Sequence, residues 1–153
     1  MFGLFKKKAV DLFSAAEKAQ IIDAIQDAER RTSGEVRVYV ESSCVKADPL
    51  GRAMELFQKL KMYETASRNA VLVYIATEDR KLAVFGDEGI HQKVGHAFWN
   101  SEVEKILMHF NKHHFGQGIA SVVQAIGAAL ELHFPFDGTS DKNELPDDIV
   151  FGK

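Results

Sequence analysis

Apolar residues recur along this chain with two different periods. From Ser14 to Arg31 the period is helical, with Ile21, Ile22, Ile25 and Ala28 on one face. Ser14-Ala-Ala-Glu17 reads as a capping box, in which each side chain satisfies a backbone amide at the helix start. Gly34 lies just beyond the pattern, so a helix is predicted over about 14–31. The period then drops to two. In EVRVYVE, Val36, Val38 and Val40 alternate with Arg37 and Tyr39, which predicts a strand with one apolar face. Asp48-Pro49 predicts a second helix start, with Asp48 as N-cap and Pro49 in the first turn. Its buried face is expected to carry Ala53, Met54, Leu56, Phe57 and Leu60. AVLVYIA, residues 70–76, is a short, β-branched and continuous apolar run, as expected of a strand covered on both faces. Glu78-Asp79-Arg80-Lys81 turns the chain, Leu82–Phe85 returns as a third strand, and Gly86 ends it.

The rest reads as helical. A short helix is predicted near 90–98, and Ser101-Glu102-Val103-Glu104 is predicted to cap another whose apolar residues are Ile106, Leu107 and Phe110. After Gly116 and Gly118, a clear stripe of Ile119, Val122, Val123, Ile126 and Leu130 predicts the last helix. Beyond Phe136 the sequence DGTSDKNELPDD is polar and predicts a surface or disordered tail. The organisation expected is an extension over 1–11, one domain over 12–134 and a tail over 135–153. Strand, helix and strand in succession make a parallel βαβ unit. The tight turn makes the third strand antiparallel to the second. The fold class is therefore α/β: a small mixed sheet, a parallel βαβ pair plus an antiparallel hairpin strand, sandwiched by helices on both faces.

Composition narrows the function. The chain is 153 residues long, 46% hydrophobic and 27% charged, enough to bury a core without a disulfide or structural metal. A net charge of −3 gives no global attraction to nucleic acid, which excludes it as an expected partner. The one cysteine, Cys44, cannot form an internal disulfide and reads as a buried or idle thiol in a reducing compartment. MFGLFKKKAV places its lysines after its apolar residues, the reverse of a signal peptide. No stretch is expected to span a membrane, and Phe2, Leu4 and Phe5 offer at most weak contact with a membrane surface. The localisation expected is cytoplasmic.

The candidate chemistry lies in two acidic turns that bracket the third strand. Glu78-Asp79 sits at the hairpin. Asp87-Glu88 emerges at the opposite edge of the sheet, where the starts of strands one and two also arrive. Glu35, Asn69, Asp87 and Glu88 are therefore expected to converge, with Gly34, Gly86 and Gly89 allowing backbones to approach. Carboxylate and amide oxygens suit a hard cation, Ca²⁺ or Mg²⁺, and not zinc. The plain alternative is a pair of solvated turns, which Arg80 beside Asp79 favours at the hairpin. His109 and His113, four apart, could chelate Zn²⁺, but no HExxH pattern surrounds them. His113 and His114 at a helix C-terminus read more simply as complements to the macrodipole. His91 follows the second acidic turn and could reach a cation or a phosphate there.

ERRTSGEVRVYV, residues 29–40, and SRNAVLVYIATEDRKLAVFGDEGI, residues 67–90, resemble two blocks of the TPM domain family. That family is named for a thylakoid lumen protein, a photosystem repair protein and a modulator of acetylcholine receptors. The resemblance spans about 12–132 and implies a mixed α/β sandwich. It implies divalent-cation binding, chiefly of calcium, in loops at one end of the sheet. In some plant members it implies an acid phosphatase activity, and in others an accessory or repair role. The matching positions are Glu35, Asn69, Asp79-Arg80, and Asp87 with Gly89. The family's two Asn before the second strand are here Arg68-Asn69. Three functions follow as expectations. The first is a Ca²⁺- or Mg²⁺-binding accessory or interaction module, open to a protein partner, whose metal residues are Glu35, Asn69, Asp87 and Glu88. The second is a metal-dependent phosphomonoester hydrolase drawing its base and phosphate contacts from Asp79, Arg80, Asp87 and His91. The third is a structural domain without a metal.

Overall fold

The computed structural model describes residues 13–44, 48–111, 115–137 and 149–152, the side chains of 110–111 excepted. Helix α1 (Ala15–Arg31) starts on the expected capping box: the Ser14 side chain accepts from the Glu17 amide, and the Glu17 carboxylate accepts from Ser14 N–H. Strand β1 (Glu35–Glu41) leads to α2 (Pro49–Lys59), whose N-cap Asp48 accepts from the Leu50 amide. A single 3₁₀ turn, Met62–Glu64, precedes β2 (Ala70–Ala76), and β3 (Lys81–Gly86) returns antiparallel to it. Then come α3 (Glu88–Asn111), α4 (Phe115–His133) and a short β4 (Ile149–Phe151).

The sheet order is β3-β2-β1-β4. β1 pairs parallel with β2 from Glu35↔Ala70 to Glu41↔Ala76, and with β4 from Val38↔Ile149 to Val40↔Phe151. Strand alternation divides the core into two layers. Val36, Val38, Val40, Val71, Val73, Ile75, Leu82 and Val84 meet α1, α3 and α4. Leu72, Tyr74, Ala76 and Ala83 meet Ala53, Leu56 and Phe57 of α2. The mixed sheet between helical layers is therefore present as expected. α1 and α4 pack closely because Gly127 faces Ala28, where an added Cβ would lie 2.7 Å from the alanine methyl.

Three expectations are corrected. The boundary predicted at Ser101 does not exist; helix continues through it, and the break falls at Gly95, whose φ of 76° only glycine adopts freely. The predicted surface or disordered tail ends in β4, with Ile149 buried against β1. Met54, expected on the buried face of α2, is 47% exposed. In addition, α4 is long and apolar enough to cross a membrane by length and composition, although half of that window is buried in the core. Residues 1–12, with the expected membrane contact, lie outside the described residues, as do His113 and His114.

Candidate functional site

The two acidic turns emerge at opposite ends of β3. Its six residues, at roughly 3.3 Å each, put about 20 Å between them. At the first end the hairpin carboxylates do more than face solvent. Asp79 Oδ2 accepts the Cys44 amide at 2.7 Å, and Glu78 Oε2 accepts the Ser43 hydroxyl at 3.2 Å. The Thr77 and Glu78 amides donate to the carbonyls of Glu41 and Ser42. The hairpin is thus bound to the segment that leaves β1. Cys44 is buried beside it, as expected.

Beneath that loop lies a buried ionic cluster. Glu41 is only 4% exposed, and Arg52 of α2 grips both its oxygens, Nε to Oε2 at 2.9 Å and Nη2 to Oε1 at 3.0 Å. The Tyr74 hydroxyl donates to the same carboxylate, and Arg52 also pairs with Glu55. The hydrogen bonds it donates to Glu41 raise the pKa of the Arg52 guanidinium. Burial, then the bond to Glu41, raises that of the Tyr74 phenol. Folding therefore holds the Tyr74 proton that the unfolded chain releases near pH 10. The stability it contributes is complete below pH 10 and is lost as pH rises further. Tyr74→Phe is expected to flatten the alkaline limb of a melting-temperature against pH curve. An unchanged limb would reject the coupling.

At the second end the backbones converge as expected. The Glu35 amide approaches the Asn69 carbonyl at 3.4 Å, the Asp87 amide donates to Ala70, and the Gly89 amide donates to Arg68. Gly89 permits this: a Cβ there would fall 2.1 Å from the Ser67 carbonyl oxygen. Three of the side chains, however, are engaged by neighbouring groups. Asn69 Nδ2 donates to Ser33 Oγ at 3.2 Å, leaving Asn69 Oδ1 buried without a hydrogen-bond partner. Asp87, 4% exposed, is taken bidentately by Arg68, Nε to Oδ2 at 2.7 Å and Nη2 to Oδ1 at 2.9 Å. Arg68 Nη1 also reaches Glu88 at 3.2 Å, and the bond to Asp87 raises its pKa. The second acidic turn thus carries an internal guanidinium. Among the described residues no group of three His, Cys, Asp or Glu side chains is placed to hold a metal.

The expected catalytic residues are divided. Asp79 and Arg80 belong to the hairpin end, and Arg80 turns the chain with φ 51°. His91 belongs to the other end, where its Nδ1 accepts the Trp99 indole N–H at 2.9 Å and its ring packs on His96. His109 Nδ1 lies 2.9 Å from the Lys105 carbonyl. Sequence reasoning missed Arg52 and Tyr74, and treated Arg68 only as a substitution. The available signal was parity, since Glu41 shares a strand face with Tyr39 and α2 must cover that face.

A TPM domain family model matches residues 7–129. The chain is 39% identical to the BA42 protein of the psychrophilic bacterium Bizionia argentinensis. That NMR structure superposes with a TM-score of 0.81, covering 92% of this chain and 95% of that one. The N-terminal domain of cg2496 from Corynebacterium glutamicum, 15% identical, shares the fold with a TM-score of 0.61 over 77% of this chain and 74% of that one. No curated protein matches the chain. The chain belongs to the TPM domain family.

Proposed function

We propose that this TPM domain binds a divalent cation at its hairpin end and works as an interaction module rather than by turnover. The observation that carries this is the junction of Glu78 and Asp79 with the 42–44 segment, at the C-terminal ends of the parallel strands β1 and β2. Ligands of open α/β sheets bind outside those ends. The donor chemistry fits a hard ion: carboxylates, a serine hydroxyl and loop carbonyls, with no second sulfur or imidazole nearby among the described residues. Their irregular arrangement suits Ca²⁺ better than the octahedral demands of Mg²⁺. Asp79 accepts from a backbone amide and, among the described residues, from no cationic side chain. At the opposite end a cation would have to displace Arg68 from Asp87.

Calorimetry and thermal unfolding of metal-stripped protein with calcium test the proposal, using Asp79→Asn and Asp87→Asn beside wild type. Calcium at about a hundred times its Kd should stabilise the fold by roughly 2.7 kcal/mol. Heat and stabilisation should vanish in Asp79→Asn and persist in Asp87→Asn. The reverse pattern would move the site to the Asn69–Asp87–Glu88 edge, and no binding at millimolar calcium would leave a structural domain. Calcium-dependent turnover of an aryl phosphate, abolished by Asp79→Asn, would replace the module with a hydrolase.

A further inference from the structure

β3 is an edge strand, and its open side borders a groove of about 580 Å³ between Pro49 and Leu50 of α2 and His96, Trp99 and Asn100 of α3. The ladder fixes which backbone groups face that groove. The Asp87 amide donates to the Ala70 carbonyl, so the hydrogen-bonded positions opposite β2 are Lys81, Ala83, Phe85 and Asp87. Leu82, Val84 and Gly86 therefore turn their N–H and C=O groups outward. Gly86 carries no side chain because Trp99 fills the space: a Cβ would lie 2.3 Å from Trp99 Cζ2. A strand edge that its own sheet leaves unpaired can template pairing with another strand.

The charges along the edge identify that strand. The sequence reads Arg80-Lys81-Leu82-Ala83-Val84-Phe85-Gly86-Asp87-Glu88, two cations, five uncharged residues and two anions. We propose that β3 pairs antiparallel with β3 of a second copy of this chain, centred on Val84, making one continuous sheet across a two-fold axis. In that register Val84 faces Val84 of the second copy, and Leu82 faces Gly86. All three outward positions become hydrogen-bonded pairs, each exchanging two bonds. Slipping the two strands by one residue, with the axis between Val84 and Phe85, would set outward-facing groups against inward-facing ones. The same register sets Lys81 against Asp87 and brings the turn at Arg80 beside Glu88 at the start of α3, each twice by symmetry. Asp87 keeps Arg68 on its own side, so Lys81 adds to an existing ion pair. Leu50, 44% exposed, flanks the seam on the α2 side and meets its counterpart. A parallel or unrelated apolar peptide would leave this charge pattern unmatched.

Sedimentation of the full chain across a concentration series in EDTA tests the pairing independently of the cation. Wild type should show a reversible monomer–dimer equilibrium. Arg80 and Glu88 lie roughly 25 Å apart within one chain, so they meet only across the seam. Arg80→Glu and Glu88→Arg should each raise the dimer Kd about tenfold, and the double variant should return it near wild type. Melting temperatures of the isolated monomers control for local effects. A chain that stays monomeric at every concentration overturns the proposal. So does a dimer whose Kd ignores both single variants, or one the double variant fails to restore. An added apolar peptide that protects the Leu82, Val84 and Gly86 amides of a monomer would assign the edge to a foreign strand instead.

Discussion

Arg52→Met is expected to destabilise the domain by about 3–5 kcal/mol, because it leaves the Glu41 carboxylate in the core without its countercharge. Glu41 is 4% exposed, and its oxygens face Arg52 and the Tyr74 hydroxyl. The Arg52 side chain, itself only 12% exposed, closes over the carboxylate from α2. Glu41→Leu in the same chain should recover most of the loss. An apolar pair of similar volume removes the desolvation penalty together with the attraction, and such replacements are often neutral. Urea denaturation of the single and double variants measures this directly. Two single variants each within about 1 kcal/mol of wild type would show that the cluster is solvated and that its burial has no energetic consequence.

Removal of residues 149–153 is expected to cost about 3 kcal/mol and to make the protein associate. Ile149 is 6% exposed and contributes roughly 1.5–3 kcal/mol by burial. Phe151 packs at 6.4 Å from Phe13, worth roughly 0.5–1.5 kcal/mol beyond its area. The Gly152 amide also donates to the Val40 carbonyl at 2.8 Å. Without β4, the backbone of β1 from Val38 to Val40 becomes a second open edge. Denaturation gives the energy and light scattering gives the association. A truncated chain with wild-type stability would mean that β4 merely rests against the sheet.

Most of the architecture was legible because local signals and the global fold agree. The capping box of α1, the alternation of β1 and the apolar run of β2 each have one structural solution, and their order dictates the parallel pair and hairpin. β4 was not legible: three apolar residues after a long polar stretch do not form a period, and only contact with β1 gives them one. The break in the third helix was misplaced because Ser101-Glu104 carries cap chemistry that an unbroken helix leaves unused. The decisive factor was the backbone freedom of Gly95. Strand topology correctly brought Asn69 and Asp87 to one end. It could not tell that Arg68, through a left-handed turn at φ 51°, would take the Asp87 carboxylate. Nor could it pair Glu41 with Arg52, which sit on different elements and meet only after α2 packs.

Trp99 gives the molecule a built-in spectroscopic reporter. It is the one tryptophan in the chain, its indole N–H is held by His91, and its ring lies where a side chain at Gly86 would have been. Its emission therefore reads a single seam, that of α3 against β3, and is insensitive to the hairpin end. Circular dichroism averages over every helix and strand. Superimposable fluorescence and dichroism transitions would identify the domain as one cooperative unit, whereas an earlier fluorescence change would reveal that the α3 seam opens first.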